Sequence, residues 1–472
     1  MSNTPMPTAV DVFGSSKLSS GVVDDDRQTD AGLAERFARS HGVDLRFDHR
    51  RSLWLHFANH RWQPDRDGGI CRLLIQFARG LQEEAPGISD REQRERAFKA
   101  GIRLESKAGL DRMEALAKNL IPIADAGNGW DADPWLLGAP NGVLDLRLGT
   151  LRDGDPADRL TMVTGVAYSG AAVCPRWEQF LQEIFEGRAE LIEWVQRFVG
   201  YSITGKVNEQ ILAVLHGAGA NGKSTFLKVL STVLGDYAWN MPFSTVELRQ
   251  RSTIPSDLAA LQGRRFVTAS ETNDGVQLNE SRIKTLTGAD TITARHLYSA
   301  HFQFQPTGKF WLAVNHKPTV RDDSHGFWRR LRLIPFTQCF DGAACDGDLD
   351  AKLLDEAPGI LNWAIAGCMA WQRKGLDPAP EIVLAATLEY QDDSDPLRDF
   401  LEECCEMDGV VEVSASAVYE AYVKWCDRHK LSRDDRMSRR QFGSRMSERF
   451  DRRHAMTGRV YKGLRVVMDK LI

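Results

Sequence analysis

Apolar positions recur at helical spacing through Ala31–Arg39, Cys71–Gln82, Ser89–Glu105 and Leu110–Asn119, which predicts a helical N-terminal region. Two interruptions read as strands. Trp54-Leu55-His56-Phe57 followed by Arg61-Trp62 has the pattern of a short hairpin, and Asn141-Gly142 is a turn signal ahead of the alternating run Val143–Leu146. Pro175–Glu183 and Glu190–Val199 form a second helical block. From Gln210 to Phe336 short apolar runs alternate with helices, the pattern of an α/β domain around a central sheet. Leu353–Arg373 is again helical. Gly375–Pro396 carries Pro, Gly and acidic residues and reads as a linker. Leu397–Ile472 reads as helices followed by a terminal strand-like run. The first 30 residues are rich in Ser, Thr, Pro, Gly and Asp, have little apolar periodicity, and read as a disordered tail.

The α/β region holds the most specific chemistry. Ile211–Leu215 is a continuous apolar run, suited to a strand buried on both faces. It leads into Gly217-Ala218-Gly219-Ala220-Asn221-Gly222-Lys223-Ser224-Thr225, after which Phe226, Leu227, Leu230, Val233 and Leu234 repeat at helical spacing. Strand, glycine-rich loop and helix together are the context a phosphate-binding loop requires. The glycines let backbone N–H groups converge on phosphate oxygens, and the helix N-terminus adds its positive dipole end. Lys223 then serves the β- and γ-phosphates, and Ser224 offers a hydroxyl to Mg²⁺. The cofactors expected are ATP and Mg²⁺. A second short run, Arg265–Ser270, ends in Glu271, a candidate metal-binding or water-orienting acid; a third, Phe310–Val314, ends in Asn315, a candidate γ-phosphate sensor. On spacing alone Glu271 reads more readily as a surface acid after a strand, and Asn315 reads equally as a turn residue. Arg329 and Arg330, ahead of the run Leu331–Phe336, are either an arginine finger or an ordinary solvated pair.

Composition narrows the picture at only two points. The formal net charge is -5, yet Ser432–Ile472 holds 12 Lys/Arg against 5 Asp/Glu, so an anionic partner, if any, belongs at that end. The eight cysteines show no paired CxxC spacing, which excludes the usual structural zinc sites, and they read as reduced thiols of a cytoplasmic protein. No run of eighteen apolar residues suggests a membrane span.

Taken in order, GAGANGKST (217–225), RFVTASET (265–272), LNESRIKTLTGADTITARHLY (278–298), KFWLAVNHKP (309–318) and FWRRLRLIPF (327–336) resemble superfamily 3 helicases. The likeness is to the helicase half of phage and plasmid primase–helicases of the poxvirus-primase type in particular. Ala139–Tyr168 is similar to the family's N-terminal region. The resemblance implies a hexameric ring with ATP between subunits, Lys223 and Ser224 on ATP and Mg²⁺, Glu271 as the second acidic motif, Asn315 as first sensor, and Arg329 or Arg330 acting in trans. Many relatives carry two adjacent acids where this chain has Ser270-Glu271, so the division between metal binding and water activation stays open. The resemblance also implies a channel hairpin, with strands Thr291–His296 and His301–Gln305 and its tip at Leu297–Ala300. Arg295, His296, Tyr298 and His301 on it, with Lys284 in the preceding helix, are candidate DNA contacts; cations and aromatic rings suit a single strand.

In the C-terminal block Ser414 and Ser438 are helix caps, and Arg459–Val467 reads as a strand or wing. A winged-helix module would present Arg439, Arg440, Arg459 and Lys462 to phosphates; a protein-docking module with a solvated basic face is the even alternative. Primer synthesis needs clustered acids, and Asp65/Asp67 and Asp131/Asp133 read as loop acids, so no primase domain is expected and a separate primase or polymerase is an expected partner. The expected layout is a tail (1–30), an N-terminal mixed α+β domain with a helical collar (31–205), an AAA+-like P-loop ATPase core (206–345), a helical segment and linker (346–395) and a winged-helix-like domain (396–472). The expected function is an ATP-driven 3′ to 5′ DNA helicase of a phage, plasmid or mobile element. An ATP-regulated origin-binding protein that recruits partners without unwinding is the alternative.

Overall fold

A computed structural model describes residues 28–248, 256–271, 273–295, 301–321, 324–341, 346–431, 436–455 and 458–467. The expected tail falls almost wholly outside them, as do His296, Tyr298 and the hairpin tip. Packing divides the chain into two units, one running to Ala132 with Asp153–Thr161 added, the other made of Asp133–Arg152 and everything from Met162. The region 31–205, expected as one domain, is therefore shared between them.

In the first unit, helices Asp30–His41, Gly69–Glu84, Arg91–Glu105 and Lys107–Ala117 pack with a four-stranded sheet in the order Arg61–Pro64, Leu53–Ala58, Leu45–Asp48, Ala124–Asp125. The anticipated hairpin is the pairing of Leu53–Ala58 with Arg61–Pro64. Polar side chains fix the helix starts: Thr29, Asp90 and Ser106 accept from the backbones of Gly32, Gln93 and Gly109, and Asp65 accepts from Gly69 and Ile70.

The second unit is mixed α/β and is built on a five-stranded parallel sheet. Its order is Leu331–Pro335, Leu212–His216, Lys309–Val314, Phe266–Glu271, Ala238–Asn240. In chain order this reads 5-1-4-3-2, so the strand bearing the glycine-rich loop lies beside the fourth strand and not beside the third. One face of the sheet meets helices Pro175–Ile184, Ala189–Ser202, Lys223–Leu234 and Ala357–Lys374 through an aromatic core. Trp177 stacks on Phe226 at 5.6 Å, and Phe198 lies 4.4 Å from Trp311. Truncating a ring such as Phe226 costs about 3–5 kcal/mol. Helices Ala189–Ser202 and Ala357–Lys374 cross so closely that a Cβ on Gly200 would lie 2.0 Å from the Cys368 nitrogen, and one on Gly367 2.1 Å from the Gln196 oxygen.

The expected linker Gly375–Pro396 is corrected: Glu381–Asp393 is a helix that buries Val383, Thr387 and Tyr390. Its flanking Gly and Pro residues mark its ends instead of a break in structure. The C-terminal block has its own core around Phe400, Tyr422, Trp425, Phe442 and Leu464. Its element order is helix Arg398–Cys404, strand Cys405–Ser414, helices Ala415–Arg428 and Arg439–Arg449, and strands Arg452–Ala455 and Gly458–Val466. The sequence pattern did not reveal the first strand, whose register breaks between Met407 and Glu412. Both serine caps are present, on Ala417 and Gln441. Among the described residues no helix is long and apolar enough to cross a membrane.

Two cations are buried at the start of the central strands. Arg265, 1% exposed, donates to the carbonyls of Ile203, Asp133 and Leu136. Lys309, 2% exposed, donates to Thr204, Lys206 and Thr307. Neutral carbonyls satisfy the hydrogen bonds but supply no counter-charge, so burial, reinforced by Arg265, pushes the Lys309 pKa well below the ordinary 10.5. Between its folded value and 10.5 the unfolded chain binds the additional proton, so this group's contribution to stability rises with pH across that window and is smaller at neutral pH. Urea unfolding from about pH 7 to about pH 10 should show a steeper gain for the native chain than for Lys309→Met. Parallel curves would mean that Lys309 stays charged when folded.

Candidate functional site

The loop Gly217–Gly222 joins strand Leu212–His216 to helix Lys223–Leu234. Ala218, Gly219 and Ala220 are exposed, while Asn221 and Lys223 are buried. Gly217 has no room for a side chain, since a Cβ there would lie 2.1 Å from the Phe336 oxygen. Gly222 has a φ of 84° and directly precedes the helix, whose first backbone N–H groups have no partner within it. Lys223 folds back over the loop. Its Nζ donates to the carbonyls of Gly217 (2.6 Å) and Ala218 (3.2 Å) and to Asn221 Oδ1 (2.9 Å). Burial lowers its pKa to about 8, which leaves it mainly an ammonium at neutral pH.

Asn221 was expected among the phosphate-binding residues, yet its side chain points inward. Its amide nitrogen donates to the Ala218 and Phe336 oxygens, and its oxygen receives Lys223. The segment after the last strand completes this clamp, with the Phe340 backbone N–H donating to the Ala220 oxygen at 2.6 Å. Thr337 and Gln338 in turn donate to Glu186, whose carboxyl these bonds and Arg188 hold down at about 2. No spacing in the sequence connects 336–340 or Glu186 with the loop; the association exists only in the fold.

Sheet register places the other candidates. Glu271 pairs with Val314, and Val314 with His216. The loop, Glu271 and Asn315 therefore leave the same, C-terminal, edge of the sheet, where open α/β sheets bind ligands. Glu271 is half-buried, and its Oε1 accepts from the Asn273 backbone at 2.7 Å; Asn315 is half-buried too. Ser224 and Thr225 sit in the first turn of the helix, with Ser224 exposed.

Arg329 and Arg330 lie at the opposite edge. The Arg330 oxygen accepts from the backbone of Leu212, the first residue of the loop-bearing strand. Both guanidiniums donate to Gln210 Oε1, at 3.0 and 3.1 Å. Burial and the neighbouring Arg329 lower the Arg330 pKa, opposed by Asp290. A strand roughly 16 Å long separates them from the loop of their own chain.

Strands Ile292–Arg295 and His301–Phe304 form the antiparallel hairpin, with Arg295 half-buried and His301 exposed. Lys284 donates to Ser324 Oγ. In the C-terminal block Arg440, Arg459 and Lys462 are exposed. Arg439 is exposed as well but is engaged by Ser416 Oγ and lies over the Tyr419 ring. The paired acids are structural ligands. Asp65 caps a helix, Asp67 pairs with Arg72, Asp131 accepts from Thr161, and Asp133 pairs with Arg147. Among the described residues no group of three or more His, Cys, Asp or Glu is arranged to hold a metal ion. The donors at the loop, a helix-terminal hydroxyl and one carboxylate, instead fit a magnesium that arrives with phosphate oxygens.

Three family models match the chain in succession: "D5 N terminal like" over residues 34–186, a family of unknown function (DUF5906) over 215–330, and "Poxvirus D5 protein-like" over 392–462. "Putative helicase L207/L206" of Acanthamoeba polyphaga mimivirus is 29% identical over 391 residues, which cover 75% of this chain and 40% of that protein. "Putative helicase 022R" of Frog virus 3 is 25% identical over 378 residues, covering 62% and 39%. The chain thus spans about two fifths of the length of these relatives. Among solved structures, the apo C-terminal region of NrS-1 aligns with a TM-score of 0.48 at 13% identity, over 76% of this chain and 74% of that one. Parts of the chain thus match the D5 N terminal like and Poxvirus D5 protein-like models, and the relatives it resembles are named helicases and primases of large DNA viruses, consistent with the helicase part of the primase–helicase family that its motifs resemble.

Proposed function

We propose that this chain is an ATP-dependent DNA helicase of the superfamily 3, AAA+-like kind, which acts in replication as a hexameric ring and moves 3′ to 5′ along one strand. The observation that carries this reading is the placement of Lys223, Glu271 and Asn315 at one edge of the parallel sheet, with Arg329 and Arg330 at the other. A triphosphate entering the loop offers Lys223 anionic oxygens in exchange for the carbonyls of Gly217 and Ala218. Magnesium, held through Ser224, Glu271 or both, would neutralise charge between the β- and γ-phosphates. Glu271 and Asn315 orient the attacking water. Arg329 or Arg330 cannot serve its own loop across the sheet, so its role is at the phosphate of a neighbouring copy. The hairpin would carry Arg295, His296, Tyr298 and His301, with Lys284 behind it, to the strand. The C-terminal block, winged-helix-like in its element order, would bring Arg440, Arg459 and Lys462 to duplex phosphates. That block also favours the second reading, an origin-binding protein that does not unwind; forked-duplex unwinding against duplex binding alone separates the two. A separate primase or polymerase would supply primers.

Lys223→Ala should lower ATP turnover at least about 10²-fold in a phosphate-release assay, since it removes a charge from the developing phosphoryl oxygens; turnover near the native rate would refute the site. Mixing Lys223→Ala with Arg329→Ala or Arg330→Ala should restore turnover in composite interfaces, and a mixture no more active than its parts would argue against action in trans. At about pH 8 roughly half of the free chains hold a neutral Lys223, and bound phosphate restores the ammonium. Calorimetric titration with ATP in two buffers of different ionisation enthalpy should therefore show uptake of about half a proton at about pH 8 and little at about pH 6.5. Asn221→Ala should cost about 1–3 kcal/mol in urea unfolding because it takes the amide donor from the buried Phe336 oxygen and one of three acceptors from buried Lys223; an unchanged midpoint would mean that the clamp is not formed.

A further inference from the structure

The segment that follows the fourth strand, Asn315–Arg321, touches more of the second unit than its length suggests. Its first residue leaves the sheet edge beside the phosphate loop. In its middle, Lys317 Nζ donates to Glu389 Oε1 at 3.0 Å and Asp393 Oδ2 at 2.8 Å, and the Pro318 oxygen accepts the hydroxyl of buried Tyr390. These three partners lie on helix Glu381–Asp393. At its far end, Thr319 exchanges backbone hydrogen bonds with Val276 and Leu278, and the Arg321 nitrogen donates to Glu280 at the start of the helix that leads to the hairpin. The Arg321 oxygen accepts from Arg445 on helix Arg439–Arg449 of the C-terminal block. Two further ion pairs tie that block to the end of helix Glu381–Asp393 and its continuation: Asp393 with Arg398, and Asp395 with Arg449.

We infer that Asn315–Arg321 couples the nucleotide site to the C-terminal block, with Lys317 as the positioning residue that fastens the segment to helix Glu381–Asp393. The inference rests on the nucleotide-binding reading of the loop and adds a regulatory role for the C-terminal block. Lys317 is engaged by the helix and not by the loop. It is held by two carboxylates on successive turns of one helix, and that helix runs directly into the block's first helix through Asp395 and Leu397. A displacement of Asn315 on nucleotide binding is thus transmitted along a short chain of charged and hydrogen-bonded groups, and anything that binds the C-terminal block acts back through the same groups by linkage. The elements concerned are a loop segment bonded at both ends and two helices, so the coupling is a change in how they dock and needs no refolding.

Hydrogen exchange of the full chain, with and without a non-hydrolysable ATP analogue and Mg²⁺, tests this. In the native chain the analogue should slow exchange in helix Lys223–Leu234 and also change it at least about threefold in helix Arg439–Arg449. In Lys317→Met the first effect should persist and the second should vanish, and Lys317→Arg should restore it. Tyr390→Phe, which removes one hydroxyl and keeps the buried ring, should weaken the distal response while the chain stays folded. A distal response that survives intact in Lys317→Met, or one absent from native chains whose loop helix is protected, overturns the coupling. No protection of the loop helix in the native chain would instead sink the nucleotide reading itself.

Discussion

Parallel pairing holds His216, Val314 and Glu271 level at the C-terminal edge of the sheet, and the whole candidate site follows from that alignment. A strand shifted by one residue would turn its side chains to the other face and carry its terminal polar residue away from the loop. The aromatic packing beneath makes such a shift costly: Trp311 on the fourth strand and Phe226 on the loop helix share one cluster with Trp177 and Phe198. The feet of the third and fourth strands carry Arg265 and Lys309, whose carbonyl partners lie mostly in distant segments, at 133–136 and 203–206. The third and fourth strands are therefore each fixed at the foot by a buried cation and at the top by the geometry of the site.

The resting loop is not an open cradle. Lys223, Asn221 and the Phe336 oxygen close on one another, and the ammonium occupies carbonyl oxygens that it must leave in order to meet a phosphate. In the proposed nucleotide complex the ammonium would exchange neutral carbonyl oxygens for anionic ones, adding charge pairing to hydrogen bonds it already makes. The clamp limits how far the loop can drift when the nucleotide is absent.

Much of this was legible in the chain itself, and the reasons are local. The strand, loop and helix at 211–234 announce themselves because two periodicities meet across closely spaced glycines. The hairpin at 53–64 is visible because its turn is short. The helix at 381–393 was hidden because the Gly, Pro and acidic residues around it are equally the marks of a linker, and its buried face has only three members, Val383, Thr387 and Tyr390. Strand Cys405–Ser414 was hidden because Asp408-Gly409 and an irregular register break its alternation. Arg265, Lys309, Glu186 and Asn221 each bond to groups tens of residues or more away, and no pattern along the sequence encodes those partners. The candidate site was readable as a set of residues; its inward-facing amide and the segment that seals it were not.

The shared acceptor of Arg329 and Arg330 carries one more consequence. Two guanidiniums rest side by side on a single neutral oxygen of Gln210, so like charges sit close together, offset in part by Asp290. Such a seat suits any dense anion better than it suits an amide. If copies meet around it as proposed, their contacts weaken as salt rises, and sulfate or inorganic phosphate competes for the same place. The ionic medium thereby becomes part of the description of any assembly this chain forms.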